Sequence, residues 1–479
     1  MLLDYVKIHT NVTFLAAMVM FANLLLAEFQ YQQPPNSLAI QMVDQLNENG
    51  NGNDASIGDI LIPQTLGDYD EDDLNPFKVV YQWRRLDFEY PTYERRQRAL
   101  YNGEFIPQSN LPLGIEVTKN RVFLTTPRWK DGVPASLSWL PYPPEELSPP
   151  LRPYPSWNEH GDPYNPDCSK LISVYRLSID KCNRMWAIDS GIVNATVNLN
   201  PVCPPKIVAF DLGTNKRILT YEFPPEQVKQ DSLHSNILVD IRGAQCSNAF
   251  VYVTDVWRFG IVVYSLAKNR SWRVTNHLFY PNPLASDFNL YGLNFQWLDG
   301  VFGMSISPVT NHNDRILFFH PMASHKEFMV STAVLQDETI WQGKGAPKAF
   351  IQIGDRGIKG QSSTAGIDRD KVMFYTLVHQ DAVGCWDINK AYTRSNLAVV
   401  AFNFTELMFP NDLKVDKEED QGVWVVSNRL PIFLYSQLDF NDINFNILRA
   451  NTKAAVKGTV CDPKVAPHVS VVEDVEECY

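Results

Sequence analysis

The chain has 479 residues, 45% apolar and 12% aromatic, with 32 prolines against 24 glycines. That balance suits a β-rich, loop-rich protein with a large core and argues against a helical one. The net charge of −12 is mostly local, and without a long basic run nothing points to nucleic acid.

At the N-terminus, Lys7 precedes the apolar stretch FLAAMVMFANLLLA (14–27). It is too short to span a bilayer, so residues 1–27 are expected to be a signal peptide cleaved near Ala27, with an uncleaved anchor as the alternative. No later stretch is apolar for long enough to cross. The mature chain is therefore expected to be secreted, with no membrane attachment. Residues 28–77 read as an acidic arm: 31–75 carry nine Asp or Glu and no Lys or Arg. Such a stretch cannot bury enough apolar surface to offset chain entropy and is expected to be disordered. A helix is expected over 91–102, with Arg95, Arg96 and Arg98 on its solvated face.

From residue 78 onward the chain consists of short runs rich in Val, Ile, Phe, Tyr and Trp, separated by Gly, Pro, Asn and Asp, which is a strand-and-turn pattern. The runs repeat as a strand ending in an acid, a polar turn, a second strand, a break and a third strand. Six copies begin at LGIEV, SVYRLSID, NILVDI, NFQWLD, TAGID and DLKVD, which places Glu116, Asp180, Asp240, Asp299, Asp368 and Asp416 in one position. A period of about 50 to 70 residues predicts an all-β, six-bladed β-propeller over 78–461, with a C-terminal tail over 462–479. Two packed β-sandwiches are the alternative. Closure is expected to pair the early strand at 78–88 with the late strand at 444–450. The repeated acid has a structural role available, accepting backbone N–H groups in its turn.

The seven cysteines show no metal-ligand spacing, and no metal or cofactor is expected. In an oxidising compartment they read as three disulfides and one odd thiol, Cys478. The repeat puts Cys182 and Cys246 in matching turns of adjacent units, so they are paired across blades. Cys168 with Cys203 and Cys385 with Cys461 are the other expected pairs. Asn194, Asn269 and Asn403 head glycosylation sequons.

The stretch MWAIDSG (185–191) presents Asp189 as an aspartic protease presents its catalytic carboxylate. That mechanism needs a second Asp-Ser/Thr-Gly element, and there is none. HExxH, GxSxG and Walker patterns are also absent. A propeller gathers its chemistry where loops from different blades meet over the channel. Second-strand ends supply Asp189, Asp255, His379, Asn428 and Arg429, and the approaches to first strands supply Asn236, Asn294 and Thr364. Apolar walls with a few such groups suit a small aromatic or amine ligand.

VYQWRRLDFEYP, GEFIPQSNLPLGIEV, SVYRLSIDKCNRMWAIDSG, CPPKIVAFDL, GVFGMSISP, HPMASHKEFMVSTAVL, AVGCWD and GVWVVSNRLPIFL run in order from about 79 to 461. Together they resemble the insect yellow / major royal jelly protein family, and HPMASHKEF, AVGCWD and SNRLPIFL sit closer to its yellow branch. The resemblance implies a secreted six-bladed propeller tied to cuticle pigmentation and melanin formation. Some members convert dopachrome, others bind biogenic amines in the central channel, and the royal jelly branch is nutritive. It carries no shared catalytic motif. Two functions follow as expectations. One is an aminochrome tautomerase with His379 or Asp255 as base and Asn236, Asn428 or Arg429 as donors. The other is a non-catalytic binder of catechols or amines, with Asp189 or Asp255 pairing the amine, and with cuticle or matrix components as partners.

Overall fold

Every residue of Val372–Leu377 and Gly422–Ser427 is buried, the pattern of a strand covered on both faces of its sheet. Sheets standing side by side in a ring meet that demand. The computed structural model describes residues 75–162, 164–196 and 199–465. The expected signal peptide, all but the last three residues of the acidic arm, and the tail from 466 with Cys478 lie outside the described residues.

Six four-stranded antiparallel sheets form the blades of a β-propeller. Their inner strands are Ile115–Thr118, Val174–Ile179, His234–Ile241, Val301–Ile306, Ala365–Ile367 and Pro410–Val415. Each touches the next, and the sixth touches the first. Closure follows the expected pairing: Lys78–Trp83 adds as the outer strand of blade 6, antiparallel to Phe445–Asn451. The Trp83 indole then donates to the Pro149 carbonyl at 2.8 Å, which latches blade 6 onto the segment that follows blade 1's third strand. The expected helix spans Tyr93–Tyr101, capped by Thr92. Of its basic residues Arg98 is exposed, whereas Arg95 and Arg96 are half-buried over the Tyr90 and Phe105 rings, with Arg96 paired to Asp87 at 2.8 Å.

The repeated acid works as a turn clamp in several blades. Asp180 accepts from the Cys182 and Arg184 amides and from the Trp186 indole. Asp416 accepts from the Gly422 amide and the Trp424 indole in the same way. The fourth copy departs from expectation. NFQ belongs to an inserted hairpin, Asp287–Leu290 with Leu293–Gln296, and the inner strand of blade 4 is VFGMSI. The clamp position in that blade is Ser307, whose hydroxyl accepts from the Ile316 amide at 2.9 Å. Asp299 is therefore not a turn clamp.

All three expected disulfides form: Cys168–Cys203, Cys182–Cys246 and Cys385–Cys461. The second joins the turns of blades 2 and 3, and the third fastens the segment after the last blade to blade 5. Serine at both Cys385 and Cys461, whose sequence separation is 76 residues, is expected to lower the unfolding free energy by about 2–4 kcal/mol. Denaturant titration of the two proteins would measure it, and an unchanged midpoint would refute it. Among the sequons, Asn269 is exposed and Asn194 and Asn403 are half-buried. Among the described residues, no helix is long and apolar enough to cross a membrane.

Candidate functional site

Inner strands begin, and second strands end, at one face of the ring. There a cavity of about 490 Å³ sits over the axis. Its floor is made by the first residues of inner strands, among them Tyr175, Phe302 and Asn411. Beneath them Arg176 of blade 2 reaches across the axis to Asp412 of blade 6 at 2.6 Å, both side chains fully buried. The same guanidinium donates to the Asn411 carbonyl at 2.6 Å and lies 5.1 Å from the Phe302 ring of blade 4. Asp412 also accepts from the Ile115 amide of blade 1 at 2.9 Å. One ion pair thus ties four blades under the cavity.

The walls are aromatic, and their polar atoms are arranged in pairs. The Trp129 indole donates to the Tyr175 hydroxyl at 2.6 Å, and the Trp297 indole to the Tyr435 hydroxyl at 2.5 Å. A hydroxyl that accepts in this way keeps its own proton to offer elsewhere. Burial holds both phenols above the usual tyrosine range, so they are neutral donors. The third indole, Trp257, donates to Asp299 Oδ1 at 2.9 Å. Desolvation pushes the Asp299 carboxyl up to about 6, with the indole N–H opposing the rise.

Asp299 is held from behind by its backbone. Its carbonyl accepts from Ala323 at 3.0 Å, and the Gly300 amide donates to Val256 at 2.9 Å. A Cβ at Gly300 would stand 2.3 Å from the Phe259 ring, so only glycine lets this loop close down onto blade 3. A carboxyl poised near neutrality, facing two neutral phenols in an apolar cavity, can take a proton from carbon and return one to oxygen. Replacing Trp257 by Phe removes the donor that favours the carboxylate, so the Asp299 pKa is expected to rise further. The acidic limb of any pH–rate profile would then move to higher pH. A limb that stays in place would count against this pairing.

The groups expected from sequence lie at the correct face but mostly turn back onto the chain. Asp189 is fully buried and accepts from the amides of Ile172, Ser173 and Gly191, with Lys206 Nζ at 3.6 Å. Asp255 is saturated by the Ser232 hydroxyl, the Leu233 and Arg258 amides and the Arg273 guanidinium. Asn428 joins the Pro112 carbonyl to the Leu430 amide, and Asn236 joins the Phe302 carbonyl to the Ile237 amide. Thr364 is buried in the approach to blade 5. Arg429 takes a left-handed conformation, φ 50°, and donates to Asn444 at 3.4 Å. It leads into the short helix Leu430–Tyr435, which carries Tyr435 to the cavity.

None of these side chains lines the axial cavity, so Asp255 gives way to Asp299 as the carboxylate available for chemistry. His379 and Asn294 come together in a neighbouring pocket that shares Gln296 with the cavity. Burial drives the His379 imidazole down to about 4, too weak a base to lead near neutral pH. Asp299 did leave a trace in the sequence. The other repeated acids precede a polar turn, whereas only Gly300 separates Asp299 from the apolar run VFGMSI.

Fold and site together define a six-bladed propeller carrying an aromatic, carboxylate-bearing pocket on its axis. The chain belongs to the major royal jelly protein family, whose profile matches residues 172–461. It is 59% identical over 390 residues to a Drosophila melanogaster protein named dopaminechrome tautomerase, a match covering 81% of this chain and 84% of that one. It is also 39% identical over 387 residues to the protein yellow of Drosophila pseudoobscura pseudoobscura, covering 80% and 68%. Among solved structures, the virginiamycin B lyase of Staphylococcus aureus aligns at 12% identity with a TM-score of 0.39, covering 72% of this chain and 96% of the lyase.

Proposed function

We propose that the protein is a secreted aminochrome tautomerase of the pigment-forming pathway, with Asp299 as its base. The observation that carries this reading is the Asp299 carboxyl, raised to about 6 among Trp and Tyr side chains in the axial cavity. An aminochrome is a quinone-type ring fused to a saturated nitrogen ring, and its tautomer is a dihydroxyindole. Protons leave the saturated carbons and arrive at the quinone oxygens, with no net change in electrons. The Asp299 carboxylate takes the carbon-bound proton, and Tyr175 and Tyr435 donate where oxygen gains charge. A cavity of about 490 Å³ is in the range of small-molecule sites, and its aromatic walls suit a flat bicyclic ligand.

The relative that is 59% identical is named for tautomerising dopaminechrome, which supports the substrate class. Three disulfides suit an extracellular protein, and cuticle or other matrix components are the partners such a location would supply. The test is to mix purified protein with dopaminechrome, and separately with dopachrome, and to follow loss of colour against a heat-inactivated control. Faster decay with either is the expected result.

A second reading also has support. A carboxylate beside Trp257, Tyr175 and Tyr435 is an arrangement that holds a protonated amine, as in a non-catalytic binder of catecholamines. No acceleration, together with calorimetric dopamine binding that disappears in Asp299→Asn, would favour it.

A further inference from the structure

Four of the six inner strands slip by one residue against their second strands, at Tyr175 of blade 2, Ser235 of blade 3, Phe302 of blade 4 and Asn411 of blade 6. A bulge of this kind takes a side chain out of the regular alternation and re-aims it. All four bulge residues line the axial cavity. The floor is thus built from the places where the ring breaks its own ladder.

Asn411 stands apart among these four. The Tyr175 oxygen is taken up by the Trp129 indole at 2.6 Å, and the Ser235 hydroxyl lies 3.4 Å from that of Thr254. Asn411 is 2% exposed, yet its Nδ2 has no hydrogen-bond partner. Its backbone is held fast, because its carbonyl accepts from the Ser363 hydroxyl at 2.7 Å and from Arg176 at 2.6 Å. Its side-chain oxygen accepts from the same guanidinium at 3.4 Å. A guanidinium has only donors to offer, so Oδ1 is the end turned down to Arg176, and Nδ2 is the end left for the cavity. A buried donor with nothing to donate to is costly, and one that a fold retains calls for an explanation. An ammonium brings only donors and gains nothing from such a group. A ring carbonyl brings only lone pairs, and finds on this floor both Asn411 Nδ2 and the Tyr175 proton.

We propose that Asn411 binds a carbonyl oxygen of the ligand, which seats the carbonyl edge on the floor and turns the opposite edge to Asp299. The orientation deepens the tautomerase reading and rests on it for the chemistry alone. The Asp299 carboxylate takes the proton from saturated carbon, and the C–H electron pair moves through the ring to the quinone oxygen. Asn411 Nδ2 hydrogen-bonds that oxygen while it carries charge and keeps its own proton, and Tyr175 supplies the proton that completes the hydroxyl.

The test uses the full chain and two variants. Asn411→Leu keeps the volume and removes the donor; Asn411→Asp keeps an oxygen for Arg176 and puts an acceptor where the donor was. Isatin, a stable bicyclic molecule with two ring carbonyls, and dopamine are each titrated into the three proteins in a calorimeter. Isatin should bind roughly tenfold more weakly to both variants. Dopamine should bind Asn411→Leu as it binds the parent, and Asn411→Asp more tightly, through its ammonium. With dopaminechrome, kcat should fall roughly 10²-fold in Asn411→Leu, by more than KM rises. If the parent itself leaves dopaminechrome unchanged, the tautomerase reading fails and the isatin series still decides the donor. No isatin binding to the parent, an isatin affinity unchanged in either variant, or isatin and dopamine weakened alike, as a merely loosened floor would give, would overturn the proposal.

Discussion

Replacing Asp299 by Asn is expected to slow aminochrome turnover by roughly 10²–10⁴-fold, the usual contribution of a positioned general base. The isosteric amide keeps the side chain's volume and an oxygen for the Trp257 indole, so substrate affinity should change much less than the rate. In the unaltered protein the rate should rise with pH, reach half its plateau near the carboxyl's value of about 6, and stay level above it, because only the ionised form takes a proton. The Asn variant should lose that limb along with the rate. Stability moves the other way. A carboxyl whose pKa is higher in the folded state than in the unfolded one stabilises the fold most below its unfolded pKa. That contribution is lost as pH rises through about 6. At pH 7 the native fold therefore carries an ionised, poorly solvated carboxylate, and the Asn variant should be at least as stable as the parent. A rate collapse accompanied by a lower melting temperature would point to misfolding. Full activity in a folded Asn variant would remove Asp299 as the base.

The architecture was legible because several blades repeat their turn chemistry as well as their apolar runs. Asp180 and Asp416, each holding a Trp of the following strand, recur from blade to blade, and the pairing of Cys182 with Cys246 follows from the same register. The fourth unit slipped because NFQ and VFGMSI are both apolar runs of strand length, and alternation alone cannot say which one joins the ring. Site residues were harder for a related reason. Sequence position put Asp189, Asp255 and Asn428 at the right face of the ring, but whether a side chain turns to the axis depends on competition with nearby amides. A short Asp or Asn at a strand end wins that competition locally. Asp299 escapes it because its loop neighbours donate to backbone carbonyls instead. The donors Trp129, Tyr175 and Tyr435 were invisible for another reason: in a β-rich chain an aromatic residue reads as core, and only the closed ring shows which of them line a cavity.

The floor of that cavity leads to the second large effect. Arg176→Met should destabilise the protein by about 3–5 kcal/mol, the cost of leaving a buried charge without its partner. Asp412 would keep the Ile115 and Leu413 amides, and its carboxylate would remain buried at the centre of the ring without its ion-pair partner. The loss should be largely recovered in Arg176→Met combined with Asp412→Asn, since the amide is neutral and its oxygen still accepts from Ile115. Such recovery would show that the cost lies in the uncompensated charge and not in the lost stem of the arginine. Denaturant unfolding of the three proteins measures the difference, and a single variant within 1 kcal/mol of the parent would show that the pair does not clamp the ring. The double variant carries a functional consequence as well. Arg176 also anchors the Asn411 carbonyl, and Asn411 lines the cavity. Stability restored without that anchor should leave the floor looser and ligand binding weaker, with the Asp299 limb of the pH profile still in place. That combination would separate the scaffold beneath the cavity from the chemistry at its wall.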